Sequence, residues 1–263
     1  MKLGIIGGGA MAEAIVAGLV ASAAYAPSDI LVSDPVAERG DWLTGRYGVA
    51  STTDNLAVVG AETLLLAIKP QVFPAVCEQI AAQLQAGLVL SILAGISLSA
   101  LNGAFPGRAV IRAMPNTPAL VRFGITALSR SGAVSESHFQ LARTLFGAIG
   151  EVVEVPEAAM DAVTGLSGSG PGYFALVVEA LIDGGVSAGL PRPTATRLVL
   201  ATLRGSAELM LQENLHPALL KDRVASPGGT TAAGLGELET RAVRGAFIEA
   251  VKAAARRARE LSG

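Results

Sequence analysis

Lys2-Leu3-Gly4-Ile5-Ile6-Gly7-Gly8-Gly9-Ala10-Met11-Ala12-Glu13-Ala14-Ile15-Val16 is the stretch that decides the fold. Leu3, Ile5 and Ile6 form the short apolar run of a buried strand, three glycines break it, and residues 11–22 then take up helical spacing. The reading is strand, tight turn, helix. Gly7 and Gly9 fill the first two positions of the pattern G-x-G-x-x-G/A, and Ala12 fills the third, where a small side chain lets helix and strand approach closely. Such a turn aims the first N–H groups of the helix, and the positive end of its dipole, at a pyrophosphate. A second apolar run, Ile30-Leu31-Val32-Ser33, ends in Asp34. That acid stands close to the offset of about 20 residues at which a carboxylate meets a cofactor ribose.

Outward from this unit, strands and helices alternate. Residues 36–47 predict a helix, and Thr53-Asp54-Asn55 supplies caps for a short one. Residues 62–68 are a continuous apolar strand stopped by Lys69-Pro70, as expected of a parallel strand buried on both faces. A helix over 72–85 and strands over 88–93, 109–113, 125–128 and 151–155 come next, with a helix over 135–147 between the last two. The pattern predicts an α/β fold with a doubly wound sheet. Beyond Pro156 only alanine- and leucine-rich helical stretches remain, broken at 165–172, 189–193, 216–217 and 226–229. The expectation is a Rossmann-type dinucleotide-binding domain over 1–155 and an all-helical dimerisation and substrate domain over 156–263.

Hydrophobic residues make up 51% of the 263 and charged residues only 16%, which predicts a surface covered by another subunit. The long uncharged stretch 79–107 contains Gln83, Gln85 and Asn102 and parses into helix end, strand, turn and new helix, so no membrane span is expected. Lys2 ahead of an apolar run imitates a secretion signal, but three glycines and Glu13 interrupt it, and the reading is a cytoplasmic protein. The single cysteine, Cys77, makes no intrachain disulfide and is expected in the core. A net charge of −2 gives no electrostatic footprint for nucleic acid.

In an open parallel sheet the ligand lies at the carboxyl ends of the strands. Those ends are residues 7–11, Asp34, Lys69-Pro70, Ala94-Gly95 and Met114-Pro115-Asn116-Thr117. In the helical half, the segments 165–172 and 226–231 are too polar and too rich in glycine for simple helix joints, and they predict a substrate pocket at the domain interface. Neither histidine, His138 or His216, has a metal or triad pattern around it, and no metal is expected. Lysines stand only at positions 2, 69, 221 and 252. The helix over 173–188 thus lacks the lysine acid that a hydroxyacid dehydrogenase of this plan would carry. A substrate that brings its own proton, such as an imine, suits that absence.

These residues resemble the pyrroline-5-carboxylate reductase family over essentially the whole chain. The resemblance is carried by the Gly7 turn, Ala67-Ile68-Lys69-Pro70, Ser91-Ile92-Leu93-Ala94-Gly95, Arg112-Ala113-Met114-Pro115-Asn116-Thr117-Pro118-Ala119, the run from Ala162 to Pro171, His216-Pro217-Ala218-Leu219-Leu220-Lys221-Asp222, and Ser226-Pro227-Gly228-Gly229-Thr230-Thr231. The resemblance implies hydride transfer from NADPH or NADH to the C=N carbon of 1-pyrroline-5-carboxylate, giving L-proline, in a homodimer often arranged further into a decamer. It implies that Thr231 hydrogen-bonds the ring nitrogen, and that the Ser226 hydroxyl with the N–H groups of Gly229 and Thr230 holds the carboxylate. It also implies cofactor contacts from Gly7, Gly9, Ala10, Met11, Asp34, Asn55, Ala67, Lys69, Pro70, Ala94, Gly95 and Asn116. Asp34 disfavours the 2′-phosphate of NADPH whereas Arg39 leans toward one, so both cofactors are expected to work. The alternatives are a reductase of another cyclic imine, a β-hydroxyacid dehydrogenase, and a nucleotide-sensing dimer without turnover.

Overall fold

The computed structural model describes residues 1–132 and 134–262. The chain divides into two compact units, Met1–Ser169 with Lys252–Gly263, and Gly170–Val251.

The first unit opens with β1 (Leu3–Ile6), α1 (Ala10–Ala21), β2 (Ile30–Ser33), α2 (Ala37–Tyr47), β3 (Ala50–Thr52) and β4 (Thr63–Leu66). It continues through α3 (Phe73–Ile80), β5 (Leu88–Ser91), α4 (Leu98–Ala104), β6 (Ala109–Met114), β7 (Gly124–Arg130), α5 (Glu136–Gly147), β8 (Gly150–Glu154) and the one-turn α6 (Met160–Val163). The strands form one sheet in the order β3-β2-β1-β4-β5-β6-β7-β8. Its first six are parallel, in the order of a dinucleotide-binding sheet that reverses direction between β1 and β4. The strands read as unbroken apolar runs because both faces are covered. Leu3, Ile5, Leu65, Leu88, Leu90 and Ile111 pack with α1, α2 and α5 on one face. Ile6, Leu64, Leu66, Val89 and Val110 pack with α3 and α4 on the other. Each fully buried Leu or Ile contributes about 1.5–3 kcal/mol.

Two features of the sheet depart from the sequence reading. Residues 50–52, too short to show a period, form an edge strand beside β2. The last two strands are reversed: β7 runs antiparallel to β6, and β8 parallel to β7. The short connection between β6 and β7, which contains only a 3₁₀ turn at Thr117–Val121, turns the chain straight back along its neighbour.

The predicted Cys77 core position holds. The residue is 8% exposed on α3, and burial pushes its thiol up to about 11. Among the described residues Arg112 is the one charged side chain buried in the sheet, flanked in register by Ser91 and Ser129. Its guanidinium meets Glu157 at 3.5 Å, and the same carboxylate oxygen accepts the Leu98 N–H at 2.5 Å.

The second unit holds α7 (Gly170–Ser187), α8 (Arg192–Gln212), α9 (Pro217–Val224), α10 (Thr230–Thr240) and the first part of α11 (Val243–Ser262). His216 caps α9, its Nδ1 accepting the Ala218 N–H at 3.2 Å. Only Ile182, Ala195 and Leu215 are buried apolar side chains here among the described residues, while Phe174, Leu176, Leu198, Leu200 and Leu211 are each more than half exposed. Exposed apolar faces of this extent mark an interaction surface. No helix among the described residues is long and apolar enough to cross a membrane.

Two outcomes are expected. Glu157→Ala orphans a buried guanidinium and a backbone N–H and lowers stability by about 2–3 kcal/mol in denaturant titration, whereas Arg112→Met costs less. Cys77 in the native protein resists thiol reagents at pH 8 and reacts once the chain is denatured.

Candidate active site

The segments leaving β1, β2, β4 and β5 at the carboxyl edge of the sheet each extend the ladder by one bond. Gly7 N–H donates to the Ser33 carbonyl at 2.8 Å, Ala67 N–H to Ile6 at 2.8 Å, Asp34 N–H to Thr52 at 3.0 Å and Ile92 N–H to Leu66 at 3.1 Å. These bonds set Gly7, Asp34, Ala67 and Ile92 side by side. Gly7 has φ +98°, and a Cβ there would stand 2.5 Å from the Ala67 carbonyl oxygen, so only glycine fits. Gly9 is the opposite case. It is exposed, caps α1 without a side-chain bond and has open space where a Cβ would go. The N–H groups of Ala10, Met11 and Ala12 in the first turn of α1 have no acceptor within the helix. Open space over Gly9 beside free donors is what a pyrophosphate requires, so the turn fits a dinucleotide.

Gly8 is clamped from both sides. Its N–H donates to Asp34 Oδ2 at 2.7 Å, and its carbonyl accepts from Arg39 Nε at 2.5 Å. The other Asp34 oxygen accepts the Val36 N–H at 2.9 Å. Arg39 also pairs with Glu13 at 2.5 Å and lies over the Trp42 ring at 4.8 Å. The Tyr47 hydroxyl donates to Glu13 Oε1 at 3.2 Å, and its pKa is raised, by burial first and then by the Glu13 charge. Sequence reasoning did not single out Glu13, Trp42 or Tyr47 for this cluster. The signal lay in three helix positions whose meeting depends on how α1 and α2 pack.

The remaining nominated residues divide. Asn55 has its amide committed inside the protein, accepting from Ser33 Oγ at 2.7 Å and donating to Gln79 at 2.9 Å. Lys69 is exposed and makes no ion pair among the described residues, and Pro70 opens a 3₁₀ turn. Ala94 is exposed, and Gly95, with φ +79°, lies beside the Leu261 carbonyl. Asn116 Oδ1 accepts the Ile125 N–H at 3.0 Å, and its Nδ2 donates to the Ser167 carbonyl at 3.3 Å.

That last bond explains a correction. The predicted break at 165–172 is no loop: α6 runs into a π-helical turn, Thr164–Gly168, and α7 begins at Gly170. The Thr164, Ser167 and Ser169 hydroxyls bond back to the carbonyls of Met160, Val163 and Thr164, so the polar residues that suggested a loop serve the helix itself. Pro171 has no N–H to give the Ser167 carbonyl four residues earlier, and Asn116 supplies the donor instead.

In the second unit the 226–231 segment is a turn leading into a helix. The Ser226 carbonyl accepts the Gly229 N–H at 2.9 Å, with Pro227 second in the turn and Gly228 at φ +68°, the pattern of a type II turn. Gly229 caps α10 without a side-chain bond, and a Cβ there would overlap the Ser226 hydroxyl. The expected role of the Gly229 N–H as a carboxylate donor is therefore corrected, because that N–H closes the turn. The donors left are those of Thr230, Thr231 and Ala232 at the helix start, with the hydroxyls of Ser226, Thr230 and Thr231 beside the first two.

A concavity of about 730 Å³ along α8, lined by Arg192, Thr196, Arg197, Leu200 and Arg204, contains none of these residues. Among the described residues no group of three or more His, Cys, Asp or Glu side chains is placed to hold a metal.

Known proteins match the chain from end to end. Residues 157–261 match the family described as pyrroline-5-carboxylate reductase dimerisation, and residues 2–95 match the family described as NADP oxidoreductase coenzyme F420-dependent. A pyrroline-5-carboxylate reductase of Synechocystis sp. is 52% identical over 99% of this chain and 98% of its own length. The pyrroline-5-carboxylate reductase structure of Coxiella burnetii superposes with a TM-score of 0.93 at 36% identity, covering 100% of this chain and 98% of that one. The Plasmodium falciparum pyrroline carboxylate reductase with NADP bound gives 0.91 at 29% identity, covering 100% and 98%.

Asn116→Ala is expected to cost about 1–2 kcal/mol, and less in a Pro171→Ala background, where position 171 regains its N–H. Denaturant titration of both single variants and the double variant measures that coupling.

Proposed function

The chain belongs to the pyrroline-5-carboxylate reductase family, and from that premise we propose how its residues carry out the reaction. The activity is reduction of 1-pyrroline-5-carboxylate to L-proline by an NAD(P)H-dependent oxidoreductase. Bound NAD(P)H supplies the hydride from nicotinamide C4. The first unit binds the dinucleotide through the residue 7–11 turn, with the carboxyl-edge segments at Lys69-Pro70 and Ala94-Gly95 flanking it.

The start of α10 holds the substrate. The Ser226 hydroxyl and the first-turn N–H groups at Thr230 and Thr231 take the carboxylate, where the positive end of the helix dipole favours an anion. The Thr231 hydroxyl hydrogen-bonds the ring nitrogen and holds the C=N bond in register for the incoming hydride. The hydride forms the new C–H bond at the ring carbon, the C=N π electrons pass to nitrogen, and the proton already on the iminium completes the amine. No side-chain acid is required, which agrees with the lysine-free α7. The observation that carries this assignment is Gly229: a Cβ there would push the Ser226 hydroxyl from its place over the unsatisfied start of a helix.

The helical half is the family's dimerisation domain. The exposed apolar faces of α7 and α8 support closure of a homodimer, with the decamer as its further assembly. Our reading keeps the functional boundary at Pro156, next to the start of the family match at residue 157, and takes the protein to work in the cytoplasm.

Thr231→Ala is expected to lower kcat by roughly 10²-fold with the dissociation constants of the dinucleotides unchanged, and Thr231→Ser to retain most of the rate. Oxidation of NADPH and of NADH with 1-pyrroline-5-carboxylate as acceptor, followed by absorbance with proline identified as product, checks both. Undiminished turnover in Thr231→Ala removes the hydroxyl from the mechanism.

A further inference from the structure

The geometry points to Glu13 as a determinant of dinucleotide preference: by pairing with Arg39 it withholds the guanidinium that a 2′-phosphate would need. Asp34 then meets the ribose alone, and NADH binds more tightly than NADPH. The inference rests on the reading of the residue 7–11 turn as the cofactor site.

In sheets of this plan, the residue at the carboxyl end of β2 decides the matter. An acid there accepts hydrogen bonds from the ribose hydroxyls, whereas a nearby arginine accommodates a 2′-phosphate. This chain carries both, Asp34 and Arg39, and sequence alone gives no reason to rank them. The structure ranks them by what each is already bonded to. Asp34 is fixed by the N–H groups of Gly8 and Val36, one on each oxygen, so it cannot rotate away from an incoming anion. Each oxygen keeps a lone pair for a ribose O–H, and a phosphate meets only its charge.

Arg39 is held on three sides. Its Nε is bonded to the Gly8 carbonyl, its terminal nitrogen is paired with Glu13 at 2.5 Å, and its plane lies over Trp42. Glu13 is itself anchored by the Tyr47 hydroxyl on its second oxygen. Arg39 and Glu13 are both mostly buried, with side-chain exposures of 27% and 23%, so solvent screens the pair only in part. The guanidinium is thereby neutralised by a carboxylate on α1 and built into the scaffold of the turn.

The test is equilibrium binding, read from the fluorescence of Trp42, the only tryptophan in the chain, as NADH and NADPH are titrated. Wild-type protein is expected to bind NADH several-fold more tightly than NADPH. Glu13→Gln keeps an acceptor for Arg39 but removes the charge, and it should tighten NADPH about five- to tenfold, the effect of one partly buried charge, with NADH moving less than about twofold. Adding Arg39→Gln to Glu13→Gln should abolish that gain, because the gain comes from the released Arg39 cation. Tighter binding of NADPH than NADH by wild type, an equal shift of both dinucleotides in Glu13→Gln, or persistence of the NADPH gain in the double variant would each overturn the role given to Glu13. Failure of wild type to bind either dinucleotide would instead refute the reading of the turn.

Discussion

The nucleotide-binding half depends on one close approach, that of the Gly7 backbone to the Ala67 carbonyl. A left-handed residue at the end of β1 lets the chain turn within a single position, and the lack of a Cβ lets it do so against the neighbouring strand. Because Gly7 N–H still completes the ladder to Ser33, the turn is fixed in height as well as direction. The first free N–H groups of α1 then face outward beside Gly9, the one glycine of the three whose missing side chain serves nothing inside the protein. The internal glycine is explained by packing, and the external one leaves the open space that the proposed cofactor site needs. That contrast makes the fingerprint here more than a tight turn.

A second set of polar contacts ties the far side of the sheet to the helical segment beyond β8. Arg112 on β6 reaches Glu157, and Asn116 just past β6 reaches Ser167. Both partners lie after Pro156, where the strands have ended, and both belong to the same compact unit as the sheet. A buried guanidinium and a side-chain amide are costly to place unless fully paired. Their presence therefore fixes one register for the 157–168 segment, where apolar packing alone would tolerate several. The π turn fits the same logic, since a proline leaves a carbonyl without its helical donor and the sheet supplies one.

Much of the fold is legible in the sequence because its signals are local. The glycine turn, the apolar strands and the caps depend on neighbours in sequence, and the period of two along β1, β4 and β5 sorts their residues onto opposite faces as expected. The reversal of β7 and β8 is not legible, because the residue pattern of a strand reads the same in either direction. Nor is the helical state of 165–172, where glycine, serine and proline signal a loop unless the back-bonding hydroxyls and Asn116 are known. The candidate site shows the same division. Gly7 and Asp34 follow from spacing, whereas the Glu13–Arg39–Tyr47 contacts arise only when α1 and α2 pack together. Gly229 lies in the segment expected of it, but the commitment of its N–H to Ser226 depends on a turn geometry that spacing does not reveal.

The two units also divide the electrostatic work, and this bears on the chemistry proposed for them. In the first unit Arg39 is neutralised by Glu13 beside the turn, and the function proposed above leaves the phosphates to backbone donors and helix charge. In the second, the loop before α10 offers hydroxyls and N–H groups and no ionisable side chain at all between Ser226 and Thr231. A carboxylate held by a helix start is held equally at every pH at which it is ionised, because nothing in the cradle titrates. A ring nitrogen that meets a threonine hydroxyl must bring its own proton. On this reading the sensitivity of the reaction to pH belongs to the imine, and the protein contributes an alignment that does not change with it. Such a site needs rigidity more than charge, and a helical unit with little core of its own acquires that rigidity from a partner surface. On the function proposed above, dimerisation and catalysis are one requirement: covering the apolar faces of α7 and α8 is what holds the start of α10 firmly enough to orient a small ring.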